Sequence, residues 1–367
     1  MSDVLVGIDP RELSVPALAW AADEAVRRGA RLRLVVAVPP VHDGLPYAAL
    51  AHHVALRNRA QSALVNAEDL VRALHDGLWT ATELVDGVPA AVLRDRTPGA
   101  ALAVVGSRRR GRVAEILGEG SVGVPLAARA DCPVVVMREP EHTTVRPPLV
   151  VVGVDGSRDC RAAVSFAAAE ASRREARLLA VWVWPRPLLS HGDESAGLAE
   201  RRRLLAESVG GCAERYPDVA VEQMVVRGHP VEELTHASAE ALAVVVGRRG
   251  RGGYTGMRLG STVHGLLHHA ECPVIAVPLS AAGGTDGTPP GPNGPGPART
   301  VRPRQDDPPG SGVPRAPGAR WKKKWSRDRR PDPRSRAAAA RRSRTDPDPR
   351  PIHPQGPSRA RTRGAER

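Results

Sequence analysis

Aromatic residues are scarce in this sequence: they make up 3% of its 367 residues and include a single phenylalanine. Any core must therefore be built from Val, Leu and Ala, which favours close packing of small side chains over large aromatic wedges. Cysteine is equally sparse, with four residues and no CxxC pair, so neither a disulfide framework nor a zinc ribbon is encoded. Lysine occurs only at Lys322, Lys323 and Lys324. No apolar run approaches the roughly 18 residues of a membrane span, and the opening MSDVLVGIDP is acidic and unlike a signal peptide. These absences lead us to expect a reduced, cytoplasmic protein with no membrane partner.

The net charge of +13 points to nucleic acid until it is located. From residue 281 onward there are 21 Lys and Arg against 8 Asp and Glu, whereas residues 1–280 carry 32 of each sign. The basic character belongs to the tail alone. That tail holds 17 of the 35 prolines and 11 glycines, three Val or Ile, and no Leu, Met or Phe. Such a composition cannot bury enough apolar surface to offset chain entropy, so residues 281–367 read as a disordered segment. Nucleic acid is expected to contact this protein only through it, if the tail is a genuine part of the protein in the cell.

The body repeats itself. The stretch from Val4 aligns without gaps with the stretch from Val150, matching Gly7 with Gly153, Asp9 with Asp155, Ala17 with Ala163, Glu24 with Glu170 and Arg27 with Arg173. ALAVVGSRR from Ala101 matches ALAVVVGRR from Ala241, and Cys132 matches Cys272 in a closing Cys-Pro-Val strand. A period near 140 residues is that of a duplicated domain. In each copy, short β-branched runs alternate with Ala-rich amphipathic stretches, five strands with four helices, which predicts two tandem doubly wound parallel α/β sheets. The predicted strands are 4–8, 32–38, 81–86, 101–105 and 134–137, then 150–154, 178–184, 220–226, 242–246 and 274–277. The predicted helices include 17–28, 163–174, 195–215 and 261–270. The domains are then 1–138 and 149–280, joined by the proline-bearing linker 139–148.

The most informative segment runs from Val245 to Val263, with the spacing Gly247-x2-Gly250-x9-Gly260-Ser261-Thr262. It follows a predicted strand and opens a predicted helix. Glycines let backbone amides approach an anion, and a helix start offers free N–H groups and a favourable dipole. Ser261 and Thr262 add hydroxyls; Arg248, Arg249 and Arg251 add charge. The spacing is neither a Walker A loop nor a GxGxxG fingerprint. In an open α/β sheet of order 3-2-1-4-5, ligands bind at the carboxyl ends of strands one and four, which sets Asp155 opposite Gly247.

VGVDGS, the G-x2-G-x9-G-[ST] loop and the closing strand resemble the universal stress protein family, over residues 1–280. The resemblance implies a five-stranded fold of the adenine-nucleotide α-hydrolase type and an ATP-binding subclass, with Mg2+ accompanying the ATP. It implies that Asp155 reads the adenosine end, that Val183 supplies a second-strand contact, and that Gly247, Gly250, Gly260, Ser261 and Thr262 hold phosphates and ribose, with Arg248 beside them. It also implies that the two domains pack as an intrachain pseudo-dimer across their last strands, with room for a further homodimer. The first domain departs from the pattern. Asp9 is followed by Pro10-Arg11, the loop from Gly106 to Gly120 is one residue longer, Arg109 replaces the second glycine, Glu119 adds a carboxylate and Val122 replaces the threonine. Asp9, Gly106, Gly120 and Ser121 are its candidate nucleotide contacts, and weaker binding is expected there.

The function expected on these grounds is a nucleotide-dependent regulator acting on a protein partner. Two alternatives stay open: a slow ATP-hydrolysing or nucleotidyl-transferring enzyme, with Glu222 or Asp193 as acid or base, and a nucleotide-free scaffold. No catalytic or metal-ligating set stands out. His264 and His268 share a helix face without further ligands. Ser190, His191 and Asp193 lack a nucleophile elbow. Trp20, Phe166, Trp182 and Trp184 read as core or interface.

Overall fold

A computed structural model describes residues 2–40, 47–107, 122–138, 147–184, 194–251 and 258–279. In the first copy, β1 (Asp3–Gly7), α1 (Val15–Arg28), β2 (Arg31–Val38), α2 (Tyr47–Leu74), β3 (Thr80–Asp86), α3 (Pro89–Arg94), β4 (Ala100–Gly106), α4 (Gly123–Arg129) and β5 (Val134–Met137) follow one another. The second copy contains β6 (Leu149–Val154), α5 (Arg158–Arg173), β7 (Arg177–Trp184), α6 (Glu194–Val209), α7 (Cys212–Arg215), β8 (Val221–Arg227), α8 (Pro230–Ser238), β9 (Ala243–Gly247), α9 (Ser261–His269) and β10 (Val274–Val277).

The strands form one ten-stranded sheet in the order β3-β2-β1-β4-β5-β10-β9-β6-β7-β8. Each half is parallel and runs 3-2-1-4-5, the order expected of each copy. The halves do not remain separate sheets. β5 and β10 pair antiparallel, with Val134 opposite Ala276, Val135 opposite Ile275 and Val136 opposite Val274. All six residues are buried. These four-residue strands would each be a bare apolar edge in a lone domain, and their pairing removes both edges.

Local chemistry explains the elements. Ser14 caps α1 by accepting from the Ala17 amide at 3.4 Å, Pro16 sits in the first turn, and Gly29 ends the helix at φ 57°. Ser157 caps α5 in the same way through the Cys160 amide at 3.1 Å, so this helix begins at Arg158, five residues before the expected start. The expected single helix 195–215 is two, because Gly210 and Gly211 interrupt it between α6 and α7. The buried faces of α1 and α5 are largely alanine (Ala17, Ala21, Ala22 and Ala25; Ala163, Ala167, Ala168 and Ala171), which lets both helices lie close to the sheet.

Two glutamates interrupt these alanine faces. Glu24 and Glu170 are fully buried. Arg28 reaches both, binding Glu24 within its own helix and Glu170 Oε2 across the domains at 3.0 Å. Arg174 mirrors it, binding Glu170 and reaching back to Glu24 Oε2 at 2.5 Å. Arg173 adds a third contact to Glu170 at 3.1 Å. The two shared guanidiniums also lie over aromatic rings, Arg28 over Phe166 at 5.5 Å and Arg174 over Trp20 at 4.6 Å. Trp20 and Phe166 are thus residues of the junction. Burial pushes Glu170 upward, but Arg174 and Arg28 outweigh it and hold its carboxyl at about 2. Burial, reinforced by the charge of Glu170, pushes Glu24 above the usual range.

Candidate functional site

β6 and β9 are neighbours with their carboxyl ends side by side, and the chain leaves them in opposite senses along the sheet. A crevice at such a reversal is where open α/β sheets take ligands. Asp155 follows β6. Its Oδ1 accepts from the Ser157 amide at 2.9 Å, and its Oδ2 accepts from the Arg251 amide at 2.8 Å. Asp155 therefore fastens the turn after β9 to the end of β6, with lone pairs left over for a further donor. Gly156 has φ 76°, and a Cβ there would lie 3.2 Å from the Trp182 ring.

The turn 248–251 has a second anchor that the sequence reading missed. Asp159, in the first turn of α5, is 6% exposed. Its Oδ2 accepts from the Arg249 amide at 3.1 Å and lies 3.6 Å from Arg249 Nε. The available signal was a carboxylate on the alanine-rich face of α5.

The three glycines of the motif have different physical reasons. A Cβ at Gly247 would stand 2.7 Å from the Asp159 backbone, and one at Gly250 would stand 2.6 Å from Asp155 Oδ2. Internal packing accounts for both. Gly260 is different: its φ is −70°, and an added Cβ would meet nothing nearer than the Arg248 carbonyl at 3.5 Å. Among the described residues nothing requires glycine there. Gly260 is the N-cap of α9 and, being glycine, offers no side chain to the first-turn amides. α1 and α5 have serine caps, and α3 and α8 carry proline in the first turn, which lacks the amide. α9 has neither. Its first turn carries Ser261, exposed, and Thr262, half-buried.

Val183 lies near the end of β7, opposite Val226 and half-buried. Trp184 follows it, with Arg201 and Arg227 over its ring at 5.0 and 4.7 Å. Arg248 points its guanidinium toward the first domain, where Nη1 donates to the Ala130 carbonyl at 2.8 Å. Burial, and then Arg249, pull its pKa below the usual arginine value.

In the first domain, Asp9 Oδ1 accepts from the Arg11 amide at 3.0 Å. Gly106 ends β4, where a Cβ would collide with Ser14 at 2.6 Å. Arg109, Glu119, Gly120 and Ser121 lie outside the described residues, as do Ser190, His191, Asp193, most of the 139–148 linker and the tail. Glu222 is ion-paired with Arg177 near the amino ends of β8 and β7, far along the strands from the crevice. Among the described residues no helix is long and apolar enough to cross a membrane, and no group of three potential metal ligands occurs. The rings of His264 and His268 lie 4.7 Å apart. Cys132 and Cys272 are buried, and burial pushes both thiols up to about 12.

Comparison with known proteins agrees with this architecture. The family model described as universal stress protein family matches residues 1–138 and 149–278. A universal stress protein of Mycobacterium tuberculosis is 36% identical over 292 residues, covering 74% of this chain and 95% of the relative. One of Mycolicibacterium smegmatis is 36% identical over 295 residues, covering 75% and 96%. A crystal structure of a universal stress protein from Archaeoglobus fulgidus superposes with a TM-score of 0.56 at 19% identity, covering 75% of this chain and 96% of that one. The chain belongs to the universal stress protein family, as a tandem member with two copies of the domain.

Proposed function

We propose that the second domain binds ATP, with Mg2+ as its companion ion, and that the bound nucleotide modulates the conformation of the tandem or its hold on a protein partner. The observation that carries this reading is the open start of α9. Gly260 has no side chain to cap the first-turn amides, and the described residues give no packing reason for a glycine there. Those amides and the helix dipole suit phosphate. Ser261 and Thr262 add donors. Gly247 and Gly250 let the turn lie close against Asp155 and Asp159. Asp155 would take the adenosine end with its remaining lone pairs, and Val183 would line the base side.

The residues fit a bound nucleotide better than they fit an ATP-consuming enzyme. Glu222 is paired elsewhere, and no described carboxylate at the crevice is placed as a general base: Asp155 and Asp159 both hold backbone amides. The test is thermal unfolding of the full chain with and without millimolar ATP and Mg2+. A ligand that binds only the folded state raises the midpoint. No rise with an intact protein overturns the reading and leaves the tandem fold as a scaffold.

A further inference from the structure

The crevice has a charged neighbour at the domain junction. A cleft of about 240 Å³ is lined by Ala128, Arg129 and Asp131 of the first domain and by Arg248, Arg249 and Arg258 of the second. Four guanidiniums share it with one lining carboxylate. A cation in the last turn of α4 is explained by the helix dipole, and this covers Arg129 alone. It does not explain why three further arginines gather opposite it, where like charges repel. Arg249 is partly neutralised by Asp159 at 3.6 Å. Arg248 is held in place by the Ala130 carbonyl, and its Nε is buried without a hydrogen-bond partner among the described residues. The cleft adjoins the α9 cap: a Cβ at Gly260 would lie 3.5 Å from the Arg248 carbonyl and 3.6 Å from the Arg249 Cα.

We infer that this cleft receives the terminal phosphates of the nucleotide bound by the second domain, so that Arg129 of the first domain completes the second domain's site. The inference rests on the nucleotide reading given above. Size and chemistry both point to phosphoryl groups. The cleft is smaller than the roughly 300 Å³ at which sites for drug-sized ligands begin, so it does not suit a nucleoside. Guanidiniums bind phosphate oxygens through paired, charge-assisted hydrogen bonds. Arg129 then makes the site sensitive to the number of phosphates, and it gives the degenerate first domain a role in nucleotide recognition. A ligand touching both domains would also favour whichever arrangement of the junction brings Arg129 to it.

The test titrates ATP, ADP, AMP and inorganic tripolyphosphate into the full chain and into its Arg129→Gln and Arg129→Lys variants. Arg129 is exposed, so neither change should alter unliganded stability. The expected result is an ATP affinity lower in Arg129→Gln by on the order of tenfold, with AMP affinity unchanged and partial recovery in Arg129→Lys. Asp131→Asn, which removes the one lining carboxylate, should tighten ATP. Equal losses for ATP and AMP, or no loss at all, overturn the inference while the nucleotide reading stands. Tripolyphosphate binding that depends on Arg129, with no binding of any adenine nucleotide, overturns the nucleotide reading and supports the cleft as a polyphosphate site. No binding of any of the four overturns both.

Discussion

Replacing Gly260 by aspartate should separate the needs of the fold from the needs of a ligand. The backbone at Gly260 has the extended conformation of an N-cap, with φ −70° and ψ 149°, and an added Cβ meets only ordinary contacts. An aspartate carboxylate can therefore accept from the Thr262 or Val263 amide, as the Ser14 and Ser157 hydroxyls accept in α1 and α5. The cap bond adds a few tenths of a kcal/mol over glycine and the dipole a similar amount, about 0.5–1 kcal/mol in all. For a body of this size that raises the melting midpoint by roughly 1–3 °C. The same carboxylate would occupy the amides proposed for phosphate and repel it. Close like charges at a partly screened site cost several kcal/mol, so ATP should bind on the order of a hundredfold more weakly. Gly260→Ala is the control: it has no cap and no charge, so it should melt lower and still bind ATP. The assays are differential scanning calorimetry and ATP titration of the same samples. A Gly260→Asp protein that melts lower, or that binds ATP like the wild type, refutes the reasoning.

Other consequences follow from buried groups. Glu170→Gln should lower the unfolding free energy by about 3–5 kcal/mol in denaturant titrations, because Arg28 and Arg174 are left buried with only Glu24 between them. The pH dependence has a definite sign. Glu170 is held at about 2, below its unfolded value, so its contribution is complete above about pH 4.5 and is lost as pH falls toward 2. Glu24, shifted upward, works in the opposite sense, with a contribution that is lost as pH rises through its raised value. The acid loss of the wild type between pH 4.5 and 2 should therefore be shallower in Glu170→Gln. All four cysteines are free and buried, and Cys132 and Cys272 sit near 12, so a thiol reagent at pH 8 should label the native protein slowly and denatured protein at all four positions.

Much of the fold was legible because parallel strands buried on both faces leave uninterrupted β-branched runs, such as VVVGV and AVVVG. The strand order followed from the family resemblance together with the usual rules for α/β sheets. What the sequence hid was the side-chain pairing between distant segments. Glu24 and Glu170 were visible as repeat partners, but a glutamate on an alanine face signals a buried ion-pair network only once the partner helix lies against it. Asp159 drew no reading, because its bond to the Arg249 amide exists only once the turn 248–251 folds onto it. Arg248 was read as a phosphate neighbour from its place beside Gly247, but the spacing could not show that its guanidinium also reaches the Ala130 carbonyl of the other domain. The glycine spacing was informative in aggregate but not residue by residue. Gly247 and Gly250 answer to packing inside the domain, whereas the described residues give no packing reason for Gly260.

The central claim is that one nucleotide binds per chain, in the second domain. Isothermal titration of ATP and Mg2+ into the full chain tests it most directly, because the stoichiometry is read from the same curve as the affinity. The account predicts a single site per chain, lost in Gly260→Asp. Two equivalent sites, or no heat from a folded protein, would contradict it.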